Sequence, residues 1–164
     1  MYYEKVLREL NARGILYIVA GGIAVNLHGV PRATSDLDIL LYLESSNVGK
    51  LVDIMKKLGY KPRAPVSFTD ITLENLEKWV KEKHMKAFSF INPKVPYEEV
   101  DIILDHPLDF ERVYKRIEFI TAKNVSIPLI SLDDLIKLKK HSKRLQDLSD
   151  VEALRKVKKM KKVA

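Results

Sequence analysis

The chain reads as one α/β domain with a helical C-terminal portion, about 131–164. Three observations carry that reading. Short apolar runs of strand length, such as Ile15 to Ala20 and Ile39 to Leu43, alternate with longer segments whose apolar residues recur at helical spacing. At 164 residues one domain is the expectation, and it is large enough to bury a real core. No internal repeat or low-complexity linker divides the chain.

The first helix is expected over Tyr2 to Ala12, with Val6, Leu7 and Leu10 on one side and Gly14 just past its end. Ile15 to Ala20 is a short buried strand. Gly22 to His28 is a short helix closed by Gly29, and Asp36 to Leu43 is the next strand. Ser46 is placed to cap a helix running to Leu58, with Gly59 as its stop. Thr72 caps a helix over Leu73 to His84, which turns Leu76 and Trp79 inward. Ala87 to Ile91 and Glu98 to Leu104 are paired strands joined by a turn containing Pro93 and Pro96. Phe110 to Ile117 is helical, and strands are expected around Phe119 and over Val125 to Ile130. Ser131 to Asp134 opens a helix like a capping box, with Asp in place of Glu. That helix breaks near Ser142 to Leu145 and resumes into a basic tail.

Composition excludes several classes. Cysteine is absent, which removes disulfides, thiolate metal sites and cysteine catalysis. No apolar run approaches the roughly 20 residues that span a bilayer, and Met1 to Lys5 has no signal-peptide pattern. A cytoplasmic protein without membrane partners is expected. Gln146 is the sole glutamine among many Lys and Glu, a bias compatible with a thermophilic source. The net charge of +7 suits polyanionic partners. Much of the excess lies in Arg155 to Lys162, readable as a solvated helix end or as an RNA-contacting tail. Aromatic residues barely interleave there, so a base-stacking platform is not indicated.

The chemistry concentrates at Asp36 and Asp38. Two apart in a strand, they project to one face while Leu37 and Ile39 turn to the core. Like charges side by side repel, and a divalent cation turns that repulsion into attraction. An Asp-x-Asp pair alone is weak, because it recurs by chance. Two further features sharpen it: the Gly21-Gly22 pair upstream, and a third acid in an apolar strand, Asp101, with Asp105 four residues on as the alternative. The four histidines show no metal-binding spacing; His28 reads as a helix-end residue, and His106 is a minor candidate near the acids.

Gly-Gly, a spacer, Asp-h-Asp-h (h apolar) and a later strand acid resemble the polymerase-beta-type nucleotidyltransferase superfamily. The fuller string from Gly21 to Asp38 looks like the small prokaryotic nucleotidyltransferases related to AbiEii-type abortive-infection toxins. Lys139, Arg144 and Asp147 recur in that group in this order. The resemblance touches residues 15–43, 98–105 and 131–154, and the first stretch is the specific one. It implies a mixed central sheet flanked by helices and transfer of NMP from an NTP to a hydroxyl acceptor. That acceptor would be an RNA end such as tRNA, a protein side chain or a small molecule.

The resemblance also implies two Mg²⁺ (or Mn²⁺) ions held by Asp36, Asp38 and Asp101, with Asp101 nearest the attacking hydroxyl and helping to remove its proton. It further implies a nucleotide site of Gly21, Gly22, Arg32, Thr34, Ser35, Lys139 and Asp147. A toxin paired with a cognate antitoxin is one biological version.

Several of these residues keep a second reading. The glycines also suit a plain strand-to-helix turn, Arg32 a surface ion pair and Thr34 a loop cap. Lys139 also suits a wet helix face beside Lys137 and Lys140, and Asp147 a local pair with Arg144. Many superfamily members have Gly-Ser at the glycine pair, so one hydroxyl contact to phosphate is missing here. The alternative for the whole chain is a non-catalytic nucleotide- or RNA-binding module of the same fold. A dehalogenase-like phosphatase is disfavoured, because Ile39-Leu40 follows the acids where a small residue is needed.

Overall fold

The computed structural model describes residues 3–163. Its centre is a seven-stranded mixed sheet in the order β3-β4-β5-β2-β1-β7-β6. The strands are β1 (Tyr17–Ala20), β2 (Leu37–Leu41), β3 (Lys61–Pro62), β4 (Ala87–Ile91), β5 (Glu99–Ile103), β6 (Glu118–Ala122) and β7 (Val125–Leu129). β1 and β2 are antiparallel, whereas β2 runs parallel to β5 and β1 parallel to β7. The β3–β4, β4–β5 and β6–β7 pairs are antiparallel.

Helices cover both faces, and the twofold alternation of the strands feeds a separate core on each side. On one side, α1 (Glu4–Ala12), α3 (Ser45–Lys57) and α4 (Leu73–Lys83) bury Leu10, Ile54 and Leu76 against Val19, Ile39 and Ile102. On the other side lie α2 (Gly21–Leu27), α5 (Phe110–Tyr114), α6 (Leu132–Ser142) and α7 (Leu145–Val163). They enclose Ile18, Ala20, Leu40 and Leu129. By the same alternation Asp38 shares the face of Leu40, beneath the C-terminal helices.

Local details depart from the expectations. Tyr2, the expected start of α1, lies outside the described residues. Glu44, not Ser46, caps α3: its carboxylate accepts the backbone N–H groups of Ser46 and Asn47, each at 2.9 Å. Asp36 precedes β2 rather than opening it, and Asp105 lies past the end of β5. The box at α6 is half formed. Ser131 accepts the Asp134 N–H, but the Asp134 carboxylate turns to the Ser131 hydroxyl and to Arg116. The two-residue β3 and a 3₁₀ turn at Phe68–Asp70 were not anticipated, being too short for periodicity to show. The break between α6 and α7 is present, with Lys143 in the left-handed region at φ 59°.

Candidate active site

The site forms where β1 ends. Ala20 pairs with Asp38 on β2, and Asp38 pairs in turn with Asp101 on β5. The chain then turns through Gly21 at φ +65°. A Cβ there would lie 1.9 Å from Asp38 Oδ2, and one at Gly22 would lie 2.6 Å from Thr34 Oγ1. The glycine pair is therefore required by the protein's own packing: Asp38 fills the space above the first and Thr34 the space above the second.

Gly21→Ala is expected to cost about 2 kcal/mol or more, from left-handed strain of about 1–2 kcal/mol plus the clash. Gly14 has the same φ of +65° and nothing within 4 Å, so Gly14→Ala should show the strain alone. Urea unfolding of both variants isolates the contact with Asp38; equal losses would contradict it.

Asp38 and Asp101 resist being charged together. Burial pushes Asp38 above the ordinary carboxylate range, and the charge of Asp36 adds to this against the opposing pull of Lys139. Burial likewise raises Asp101 to about 7, helped by the charges of Asp38, Glu99 and Asp36. Ser89 stands across the β4–β5 ladder from Asp101, yet Asp101 Oδ1 is buried with no hydrogen-bond partner. An orphaned carboxylate oxygen beside a second, half-buried carboxylate suits a hard divalent cation. The donor set thus fits Mg²⁺ or Mn²⁺. Asp36 is engaged locally, accepting from the Ser35 hydroxyl at 3.2 Å. Among the described residues, no three acidic or histidine side chains are gathered for a metal as they stand.

Beside the acids lies a buried charge network. Lys139 is only 5% exposed and sits 3.1 Å from both Asp147 and Asp150. The reading of Lys139 as one of several wet lysines is overturned. Helix α6 buries Leu135, Leu138 and Lys139 together, so its inner face is wider than the leucines alone suggest. Asp147 does pair with Arg144, at 2.9 Å, but also accepts from the Ser142 hydroxyl and Lys139. Arg32 bonds Asp150 at 2.9 Å, so it is an ion-pair partner, though of a buried acid rather than a surface one. Ser35 is exposed, and its carbonyl accepts from the Tyr3 hydroxyl.

Burial alone would raise Asp147, but the bonds from Arg144, Ser142 and Lys139 prevail and hold it at about 2, below the unfolded 3.8. That stabilisation is complete above the unfolded value and disappears as pH falls through the folded one. Asp147→Asn should therefore flatten the acid limb of stability by roughly 2 kcal/mol, measured by urea melts across that window.

A pocket of about 260 Å³ opens over these groups, lined by Gly21, Asp38, Asp101, Lys139, Arg144 and Asp147, with Lys86, Asp105 and His141 on its wall. His106 is not among its lining residues; its ring nitrogen accepts from the Leu108 N–H. His28 follows α2 as expected and is buried against the Ile130 carbonyl. Sequence reasoning missed Asp150, Ser142, Lys86 and His141. For Asp150 a signal existed, since its three-residue spacing from Asp147 puts both acids on one helix face.

The architecture matches solved structures across nearly its whole length. One is the lincosamide antibiotic adenylyltransferase LnuA with lincomycin bound (TM-score 0.60, 16% identity, 93% of each chain covered). The fold is that of the nucleotidyltransferases. A putative nucleotidyltransferase of Thermotoga maritima superposes with a TM-score of 0.55 at 18% identity, over 93% of this chain and 87% of that one. ANT(2″)-Ia in complex with adenylyl-2″-tobramycin gives 0.56 at 13% identity, over 94% and 89%. No family model and no curated protein matches the chain. At these identities the likeness establishes the nucleotidyltransferase fold alone. No helix among the described residues is long and apolar enough to cross a membrane.

Proposed function

We propose that this protein is a metal-dependent nucleotidyltransferase that moves NMP from an NTP onto a hydroxyl acceptor. The observation that carries the reading is the register pair of Asp38 and Asp101, with an unpartnered buried oxygen, under a glycine turn in this fold. Divalent cations held by Asp36, Asp38 and Asp101 would offset the carboxylate and triphosphate charges and stabilise the entering and leaving oxygens. Asp101 would help remove the proton of the attacking hydroxyl, the role that the resemblance to the superfamily implies. Lys139 is committed to two carboxylates and supplies a fixed positive charge beside Asp38. Arg144, largely exposed in the same pocket, is the cation placed to meet phosphate.

The chain spans 93% of a lincosamide adenylyltransferase and 89% of ANT(2″)-Ia. A small hydroxyl compound is accordingly the first acceptor to test, with RNA ends and protein side chains next. The narrower AbiEii-like affiliation rests on the string from Gly21 to Asp38, and it adds a toxin role held in check by an antitoxin.

The test incubates the protein and Mg²⁺ with each of four α-labelled NTPs and, separately, hydroxyl-bearing small molecules, total RNA and lysate protein. Label from at least one NTP should appear on one acceptor class. NTP binding with no transfer to any class would assign the chain to the non-catalytic module instead. Growth arrest on expression, relieved by a neighbouring gene, would add the toxin role.

A further inference from the structure

Tyr3 stands outside the residues so far assigned, yet its hydroxyl joins the segment just ahead of β2 to the start of β5. It accepts the Glu99 backbone N–H at 3.0 Å and donates to the Ser35 carbonyl. Ser35 immediately precedes Asp36, and Glu99 opens β5 two residues before Asp101. The direct β2–β5 pairing begins only at Leu37 and Val100. The phenol thus supplies the next rung, at the point where the two backbones part. Its ring is 5% exposed, packed in the same core cluster as Val6 and Leu7.

The backbone of Tyr3 is itself unusual. It lies in the left-handed region at φ 62°, ψ 16°, where a bulky aromatic residue is rarely found. Its carbonyl meanwhile accepts from Leu7 N at 2.9 Å, in the first turn of α1. A strained residue persists where its surroundings over-determine it, and such residues cluster where geometry serves function. Here the over-determination comes from the buried ring, the two hydroxyl bonds and the helix start. Burial foremost, together with the charges of Asp36, Glu98 and Asp101, pushes the phenol up to about 12. It therefore remains protonated and able to donate.

We infer that Tyr3 is a positioning residue for the metal site: its hydroxyl sets the spacing of the segments bearing Asp36 and Asp101, and so the affinity for divalent cations. This rests on the metal-dependent reading above. Groups that orient metal ligands from behind characteristically change metal affinity by about 10- to 100-fold when removed.

The experiment titrates Mn²⁺ into metal-free wild type, Tyr3→Phe and Val6→Ala, reading free Mn²⁺ by electron paramagnetic resonance and stability by thermal melts. Val6 is 2% exposed on the same helix, so its truncation loosens α1 without touching the bridge. Tyr3→Phe should bind Mn²⁺ at least tenfold more weakly, while Val6→Ala binds as wild type does. A readout that needs no variant is exchange of the Glu99 amide, which should slow in wild type on adding Mg²⁺. Wild-type affinity in Tyr3→Phe, equal weakening in Val6→Ala, or a Glu99 amide indifferent to Mg²⁺ each overturns the inference and leaves the proposed function standing. Failure of the wild type to bind Mn²⁺ at all overturns both.

Discussion

Asp38→Asn is expected to reduce nucleotidyl transfer by more than a hundredfold and, in metal-free buffer, to raise the melting temperature. The two effects share one cause. Burial and the charge of Asp36 disfavour the charge on Asp38, and the hydrogen bond with Asp101 and the charge of Lys139 only partly offset this. Asparagine keeps the shape and removes the charge. About 1 kcal/mol of relief corresponds to roughly 2–4 °C for a domain of this size. The same charge is what a cation would require, and loss of a direct ligand should exceed the 10- to 100-fold effect of an outer contact. Asp101→Asn should behave alike. Asp36→Ala should abolish transfer with little change in stability, because that side chain is partly exposed and only its Ser35 contact is lost. Melting curves in chelator, beside label transfer from α-labelled NTP, check all three. Undiminished transfer in Asp38→Asn would refute the assignment.

Lys139→Met should destabilise the fold by about 3 kcal/mol, the lower end of the range for breaking a buried pair. The variant keeps the apolar stem and leaves Asp147 and Asp150 without the cation between them. Arg32 and Arg144 still reach one carboxylate each, which limits the loss. Lys140→Met, on the exposed side of the same helix, should stay within about 0.5 kcal/mol. Adding Asp150→Asn to Lys139→Met should recover part of the deficit, since the two residues share a network. Urea unfolding of the four proteins measures this, and a near-neutral Lys139→Met would show that the network is not sustaining the fold.

The two-residue period made the acid strand legible: it set Asp38 apart from Leu37 and Ile39, though Asp36 falls just ahead of β2, and the polar start of the later strand drew attention to Asp101. Helix ends were legible where one side chain can do one thing, as at Thr72 and Ser131. They were not where neighbours compete, and Glu44 displaced Ser46 because a longer carboxylate serves two N–H groups at once. Strand order was out of reach, since pairing β1 with β2 and β2 with β5 depends on contacts remote in sequence. The buried status of Lys139 was likewise illegible. A lysine follows the leucines at helical spacing on wet and dry faces alike, and what decides its fate is a pair of aspartates on another helix.

The bond between Arg32 and Asp150 joins positions 118 apart in the chain. It fastens the loop ahead of the acids to the nineteen-residue final helix, which contributes none of the three carboxylates. Losing that helix would strand Lys139 without its two carboxylate partners and unlatch the loop at Arg32. Such a loss would leave Asp36, Asp38 and Asp101 in place and undo what holds their surroundings, so the last helix serves as the bolt on a door whose lock lies elsewhere.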